Sequence, residues 1–233
     1  MSVLTEAWHK LAGTQPVPAA WVVAASGVAA LAIVFTRLTW QLSRNVITIA
    51  HEGGHALVSV LSGRRLEGIR LHADTSGETF SRGRRTGPGV VLTAAAGYVT
   101  PPLLGLGSAW LLSAGHVTAM LWLALALLIL TLLVIRNAYG FLAVLATGAA
   151  VFAVSWQAQP VVQAVFAYGC SWFLLLGGVR PVFELARRRR RTSDADQLGR
   201  LTPIPAGGWV FGFAALALAC VALGARLLVS HIS

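Results

Sequence analysis

The sequence predicts an all-α integral membrane protein, a bundle of six to seven transmembrane helices with a small β-hairpin after the second. Three observations predict it. Hydrophobic residues make up 56% of the 233 and charged residues 11%, where a soluble domain carries about 25% charged. The apolar residues come in continuous runs, not in the alternating stretches of a membrane barrel. One early loop alternates apolar and polar residues around a Gly-bearing turn, the pattern of two paired strands. The length suits one such bundle, so residues 1–233 read as a single polytopic domain.

In order, residues 1–18 form a polar lead that ends in Pro16 and Pro18. The first apolar run begins behind this lead and reads as a retained helix rather than a cleaved signal. Spans are expected at 21–38 and 45–61, joined by a short connection that Arg37 and Arg44 bracket. The second is short against the roughly 20 residues a span requires. Residues 62–88 form an arginine-rich loop. Within it, 68–72 alternate like a strand, Thr75-Ser76-Gly77 signal a turn, and 78–81 return. Further spans are expected at 89–112, with a kink at Thr100-Pro101-Pro102, then at 117–135, 138–156, 161–179 and 207–229. Five arginines, 187–191, precede the last.

The net charge of +10 comes almost wholly from arginine; Lys10 is the single lysine. In a soluble protein this would point to nucleic acid. Here the arginines fall between apolar runs, so they mark cytoplasmic loops. Nucleic acid is not an expected partner, and the lipid bilayer with its anionic headgroups is. Placing loops 62–88 and 187–201 in the cytoplasm, seven spans put the N-terminus inside and the C-terminus outside. Arg37 and Arg44 then fall on the wrong side. Cys170 and Cys220 lie in apolar runs without a CxxC spacing, which excludes a disulfide framework or a cysteine zinc knuckle.

The chemistry concentrates in His51-Glu52-Gly53-Gly54-His55. With six His and five Glu in the chain, about 0.003 chance matches to H-E-x-x-H are expected. On a helix, His51 and His55 project from one face at i and i+4, which suits two ligands of one Zn2+. Glu52 lies beside that position and suits proton transfer. Ionisable groups in a membrane segment cost roughly 2.5–3.5 kcal/mol each at its centre, so three together imply a use. Gly53 and Gly54 fit either close approach of a substrate or packing of a neighbouring helix. A catalytic zinc takes a third protein ligand. The candidates are His72, Asp74 and Glu78 in the hairpin loop and Asp194 and Asp196 after the arginines. His116 and His231 fall at the opposite ends of their spans. Asn137, an amide at the start of a span, suits a hydrogen bond to substrate backbone better than a metal bond.

The H-E-x-x-H-A helix, Ser76-Gly77-Glu78-Thr79-Phe80-Ser81-Arg82-Gly83, Arg136-Asn137-Ala138-Tyr139-Gly140 and Ser193-Asp194-Ala195-Asp196-Gln197-Leu198 together resemble a compact bacterial branch of the site-2-protease-type intramembrane metallopeptidases. The N-x-x-P-x-x-x-x-D-G motif of other members is absent. The resemblance implies a multi-pass protein of the bacterial inner membrane. It implies a zinc metalloendopeptidase with His51, His55 and Asp194 as ligands and Glu52 as general base and acid. The implied partner is a membrane protein substrate, added as a strand along the hairpin edge at Gly77 and Thr79. The rival expectation is a metal-binding membrane scaffold or adaptor without peptidase activity. Oligomeric state is not legible.

Overall fold

The computed structural model describes residues 13–16, 18–187 and 193–230. His9 and Lys10 in the lead, the arginines after Arg187, and His231 lie outside these residues. The elements in order are α1 (Ala20–Phe35), α2 (Arg37–Leu61), β1 (Arg65–Leu71), β2 (Gly77–Arg82), α3 (Pro88–Ser113), α4 (Val117–Val134), α5 (Ala138–Gln157), α6 (Pro160–Arg187), α7 (Asp194–Leu201) and α8 (Ala206–Val229). Helices α3, α4, α5, α6 and α8 are each long and apolar enough to cross a membrane. Their limits match the apolar runs within a residue, except that α6 continues to Arg187. α3 starts with Pro88 in its first turn, where a missing N–H costs nothing. It then runs as one element through Pro101 and Pro102.

The first two helices depart from expectation. Arg37 to Arg44 is no connection but the first two turns of α2, and the chain turns by 100° at Thr36 between α1 and α2. A break inside a membrane exposes the last carbonyls of α1, each costing several kcal/mol if left unpaired. Three of them are paired here. Thr36 N–H donates to Ala32 O at 3.0 Å, Thr39 Oγ1 donates to Ile33 O at 2.9 Å, and the Arg180 guanidinium donates to Val34 O. Glu184 holds that arginine at 3.0 Å and Arg44 at 3.2 Å.

These contacts decide the topology. Gln15, before α1, bonds to Gly115 and to the side chain of Gln163, at the end of the bundle where α3 and α6 meet their neighbouring loops. α1 leaves that end and arrives beside Arg180. α2 begins there, against Glu184, and ends with Ser62 against Gly89 at the start of α3. α1 and α2 thus form one bent pair, either a broken span or a re-entrant one, and α2 is not counted as a separate crossing. Among the described residues five helices can cross a membrane, or six with the bent α1–α2 pair taken as one span, which meets the lower end of the expected six to seven. Among the described residues, every arginine but Arg226 sits at the α2 end, including Arg37 and Arg44, so the charge conflict disappears. The arginine-rich end is the one that the positive-inside rule expects in the cytoplasm; residue 15 and Val229 lie at the opposite end of the bundle.

The hairpin packs against α2. Its antiparallel register pairs Ile69 with Thr79 and Leu71 with Gly77, with a bulge between Leu66 and Gly68. Gly68 takes φ +145°, and a Cβ there would meet Val134 O at 2.8 Å; this glycine lets β1 press onto the α4–α5 junction. Arg136 N–H donates to Ile69 O at 2.9 Å, and Ile69 bridges to Ile135. The outer edge of β1 is thus occupied, and among the described residues no backbone pairs with the outer edge of β2. At the turn, Thr48 Oγ1 of α2 donates to Thr75 O at 2.8 Å.

The short α7 is docked by burial. Ala195 and Leu198 pack into an apolar cluster with Ala94, Val182, Leu185 and Phe213. Burying Leu198 alone contributes about 2 kcal/mol. Ser193 caps the helix: its Oγ accepts from Asp196 N–H at 3.2 Å and donates to the Asp196 carboxylate at 2.7 Å. Asp194 is the first helical residue, not the cap, and its side chain is left to point elsewhere.

Candidate metal centre

On α2 the i,i+4 spacing brings the His51 and His55 rings edge to face, centroids 4.8 Å apart, with their Nε2 atoms at 3.1 Å. Two nitrogens this close are aimed at one point. His55 Nδ1 lies 2.6 Å from Thr93 O on α3; with the proton on Nδ1, the ring donates to that carbonyl and keeps its Nε2 lone pair for the cluster. The third corner is Asp194 from α7. Its Oδ2 stands 3.1 Å from His51 Nε2 and 3.3 Å from His55 Nε2.

The triangle can be tested against zinc. Ligand atoms about 2.0–2.1 Å from a tetrahedral ion are roughly 3.3 Å from one another. The three observed edges match that spacing, and two imidazoles with a carboxylate are ordinary zinc donors. Gly97 on α3 supplies the room: a Cβ there would stand 2.6 Å from His51 Cε1 and would collide with the Nε2 of both histidines. The donor set and the space beside it both fit the ion. With no ion bound, burial opposes ionisation of Asp194, but hydrogen bonds and charge from His51 and His55 in their protonated form outweigh it and hold the carboxyl well below its ordinary range.

Glu52 is 4% exposed and stands outside the triangle, on the hairpin side. Thr79 Oγ1 lies 2.7 Å from its Oε2, to which it donates, and 3.1 Å from its backbone oxygen. Gly77 lies so close that a Cβ would sit 2.6 Å from Glu52 Cγ and 2.8 Å from Oε1. Only glycine leaves that carboxylate room. Gly54 packs α2 on α3, where a Cβ would come within 3.0 Å of Ala96 O; of its two sequence readings, the structure shows helix packing.

Ladder logic places the backbone of the two hairpin residues. Ile69 turns its carbonyl toward Arg136, away from β2. Its partner Thr79 therefore shares a non-hydrogen-bonded pair and turns its own N–H and C=O to the outer edge of β2. The same alternation holds for Leu71 and Gly77. That edge lines a polar cavity of about 1190 Å³, which reaches from the cluster past Glu78, Arg37 and Arg44 to Arg187.

Other expected residues lie elsewhere. Asn137 does not face the cavity as a donor to substrate. Its amide donates to Leu71 O at 2.7 Å and its Oδ1 accepts from Leu71 N–H at 3.2 Å, so it holds the outer edge of β1 like a short extra strand. Asp196 is engaged with Ser193. Asp74 Oδ1 accepts from Ser76 N–H and Oγ within the hairpin turn. Among the described residues, His72, Asp74 and Glu78 stay out of the triangle, and His116 precedes α4 at the opposite end. The sequence reading missed Thr93, Gly97 and Tyr98. Thr93 acts through a backbone carbonyl, which leaves no side-chain signal. Gly97 and Tyr98 fall inside the apolar run expected at 89–112, where hydropathy marks only a span.

No curated protein matches the chain, and no solved structure does. A model of the family described as Peptidase M50B-like matches residues 24–224, a stretch running from within α1 to within α8 that takes in both the α2 histidines and the distant aspartate. The chain therefore belongs to that family, within the site-2-protease group of multi-pass membrane metallopeptidases.

Proposed function

We propose that the protein is a zinc-dependent intramembrane endopeptidase that cleaves a membrane-embedded or membrane-proximal segment of another protein. The observation that carries this reading is the position of Glu52. It stands between the His51–His55–Asp194 triangle and the outer edge of β2, with one oxygen held by Thr79. His51, His55 and Asp194 would hold the zinc, which when bound polarises a carbonyl and makes water more acidic.

Glu52 takes the proton of the attacking water and later gives it to the leaving amide nitrogen. Thr79 keeps the carboxylate turned to the cavity. The substrate must first lose its own helical hydrogen bonds, which in lipid is costly unless they are replaced. The outward N–H and C=O of Gly77 and Thr79 replace them, taking the unwound segment as an added strand. The polar cavity admits water from the arginine-rich end.

The test uses full-length protein in detergent, fluorescein-labelled casein and a panel of single-span membrane proteins as probes, with zinc content measured in parallel. Wild type should cleave and hold one zinc. Glu52→Gln should hold zinc and lose activity by about 10²–10⁴-fold, the span of general acid–base catalysis. Protein that holds zinc and cleaves none of the probes, with or without Glu52, would favour the metal-binding scaffold.

A further inference from the structure

Tyr98 stands against the cluster and has no use in the mechanism above. It follows Gly97 on α3. Its ring meets His51 edge-on with centroids 4.8 Å apart and stacks on Phe213 of α8 at 5.2 Å. The ring is therefore held from two sides. Its hydroxyl makes no hydrogen bond to any described residue. It borders the cavity, within electrostatic reach of Asp194, Arg44, Glu184 and Glu52. A sheltered tyrosine hydroxyl normally finds a partner. Here the cavity is where one would come from.

The arrangement is two-sided. Glu52 is fixed on the hairpin side of His51 by Thr79 and Gly77, and Tyr98 is fixed on the α8 side by Phe213. A carbonyl brought to the cluster lies between a proton acceptor and an unspent O–H donor. We propose that Tyr98 is a further catalytic residue, whose hydroxyl donates a hydrogen bond to the scissile carbonyl oxygen as that oxygen becomes an anion. This rests on the peptidase reading. As Glu52 takes the water proton, the water oxygen bonds to the carbonyl carbon and the C=O π pair moves onto the oxygen that Tyr98 faces. When the C–N bond breaks, that pair returns to re-form C=O and the leaving nitrogen takes the proton from Glu52. The phenol keeps its own proton throughout, so no further reactant is needed.

Tyr98→Phe tests this, because it keeps both ring contacts and removes only the O–H. With labelled casein and full-length protein, kcat should fall about 100-fold, the usual effect of one oxyanion donor. KM, zinc content and melting temperature should stay unchanged. A phosphinic analogue of the casein site cut fastest carries a tetrahedral anion. Its affinity should weaken about as much. The affinity of the matching uncut peptide, measured in a Glu52→Gln background, should not change. Unchanged kcat and phosphinate affinity would overturn the proposal. So would loss of zinc or a lowered melting temperature, which would make Tyr98 a support for His51. If wild type cleaves and Tyr98→Phe equals it, only this inference fails; if wild type cleaves nothing, the peptidase reading fails and takes this inference with it.

Discussion

Gly97→Ala sets helix propensity against the metal centre. In an ordinary helix interior this change stabilises by roughly 1 kcal/mol. At residue 97 the new Cβ would stand 2.6 Å from His51 Cε1, with the Nε2 atoms of both histidines in its way. Reaching ordinary van der Waals contact requires roughly 0.8 Å of movement. His51 cannot yield easily, since Tyr98 and His55 flank its ring, and His55 is tied to Thr93 O. Metal–ligand distances tolerate about 0.2 Å, so the shift is several times what the site allows. The expected outcome is protein that folds, with an unchanged helical signal and a metal-free melting temperature at or somewhat below wild type, since overpacking costs about 1–3 kcal/mol against the propensity gain, and zinc affinity reduced at least about 100-fold, comparable to or beyond the loss of an outer-shell partner. Zinc content by elemental analysis and affinity by chelator competition measure it. Wild-type occupancy in Gly97→Ala would refute the reasoning, because it would mean that the metal does not lie where the two Nε2 atoms converge.

Two further outcomes separate the roles of neighbouring residues. Asp194→Asn should remove zinc at neutral pH, while Asp196→Ala should keep it and lose about 1 kcal/mol of stability with the α7 cap; equal zinc loss in both would return the ligand assignment to an open question. Thr79→Val should lower kcat about tenfold or more with zinc content and KM unchanged, and Thr79→Ser should restore it, since the hydroxyl to Glu52 is then back; a Ser variant as slow as Val would show that the methyl packing, not the hydrogen bond, matters.

Much of the fold was legible because hydropathy reads what lipid demands of a helix. The five runs that became α3, α4, α5, α6 and α8 are apolar over a full span, and lipid leaves an isolated apolar chain little choice but a helix. The hairpin was legible from alternation and a turn, and the H-E-x-x-H pair from helical spacing alone. The α1–α2 region was not. Residues 37–44 look like a polar connection, yet they begin a helix that runs on to Leu61. Hydropathy cannot see that Arg180 and Thr39 satisfy the carbonyls of α1 at the bend, and those bonds permit a 100° turn where a span was expected to end.

What the sequence by itself determined is therefore local: which runs are helical and apolar, which loop is a hairpin, and that two histidines and a glutamate share one turn of helix. Tertiary structure alone decided the rest. Asp194 stands 143 residues beyond His51, and its approach depends on Ala195 and Leu198 docking α7 against α3 and α8. Asn137 became a clasp on β1 because Leu71 presented an unpaired backbone edge to it. Gly97 leaves space beside two imidazoles on a different helix. Each depends on side chains meeting across elements distant in sequence, and helical or strand periodicity carries no information about which faces will meet.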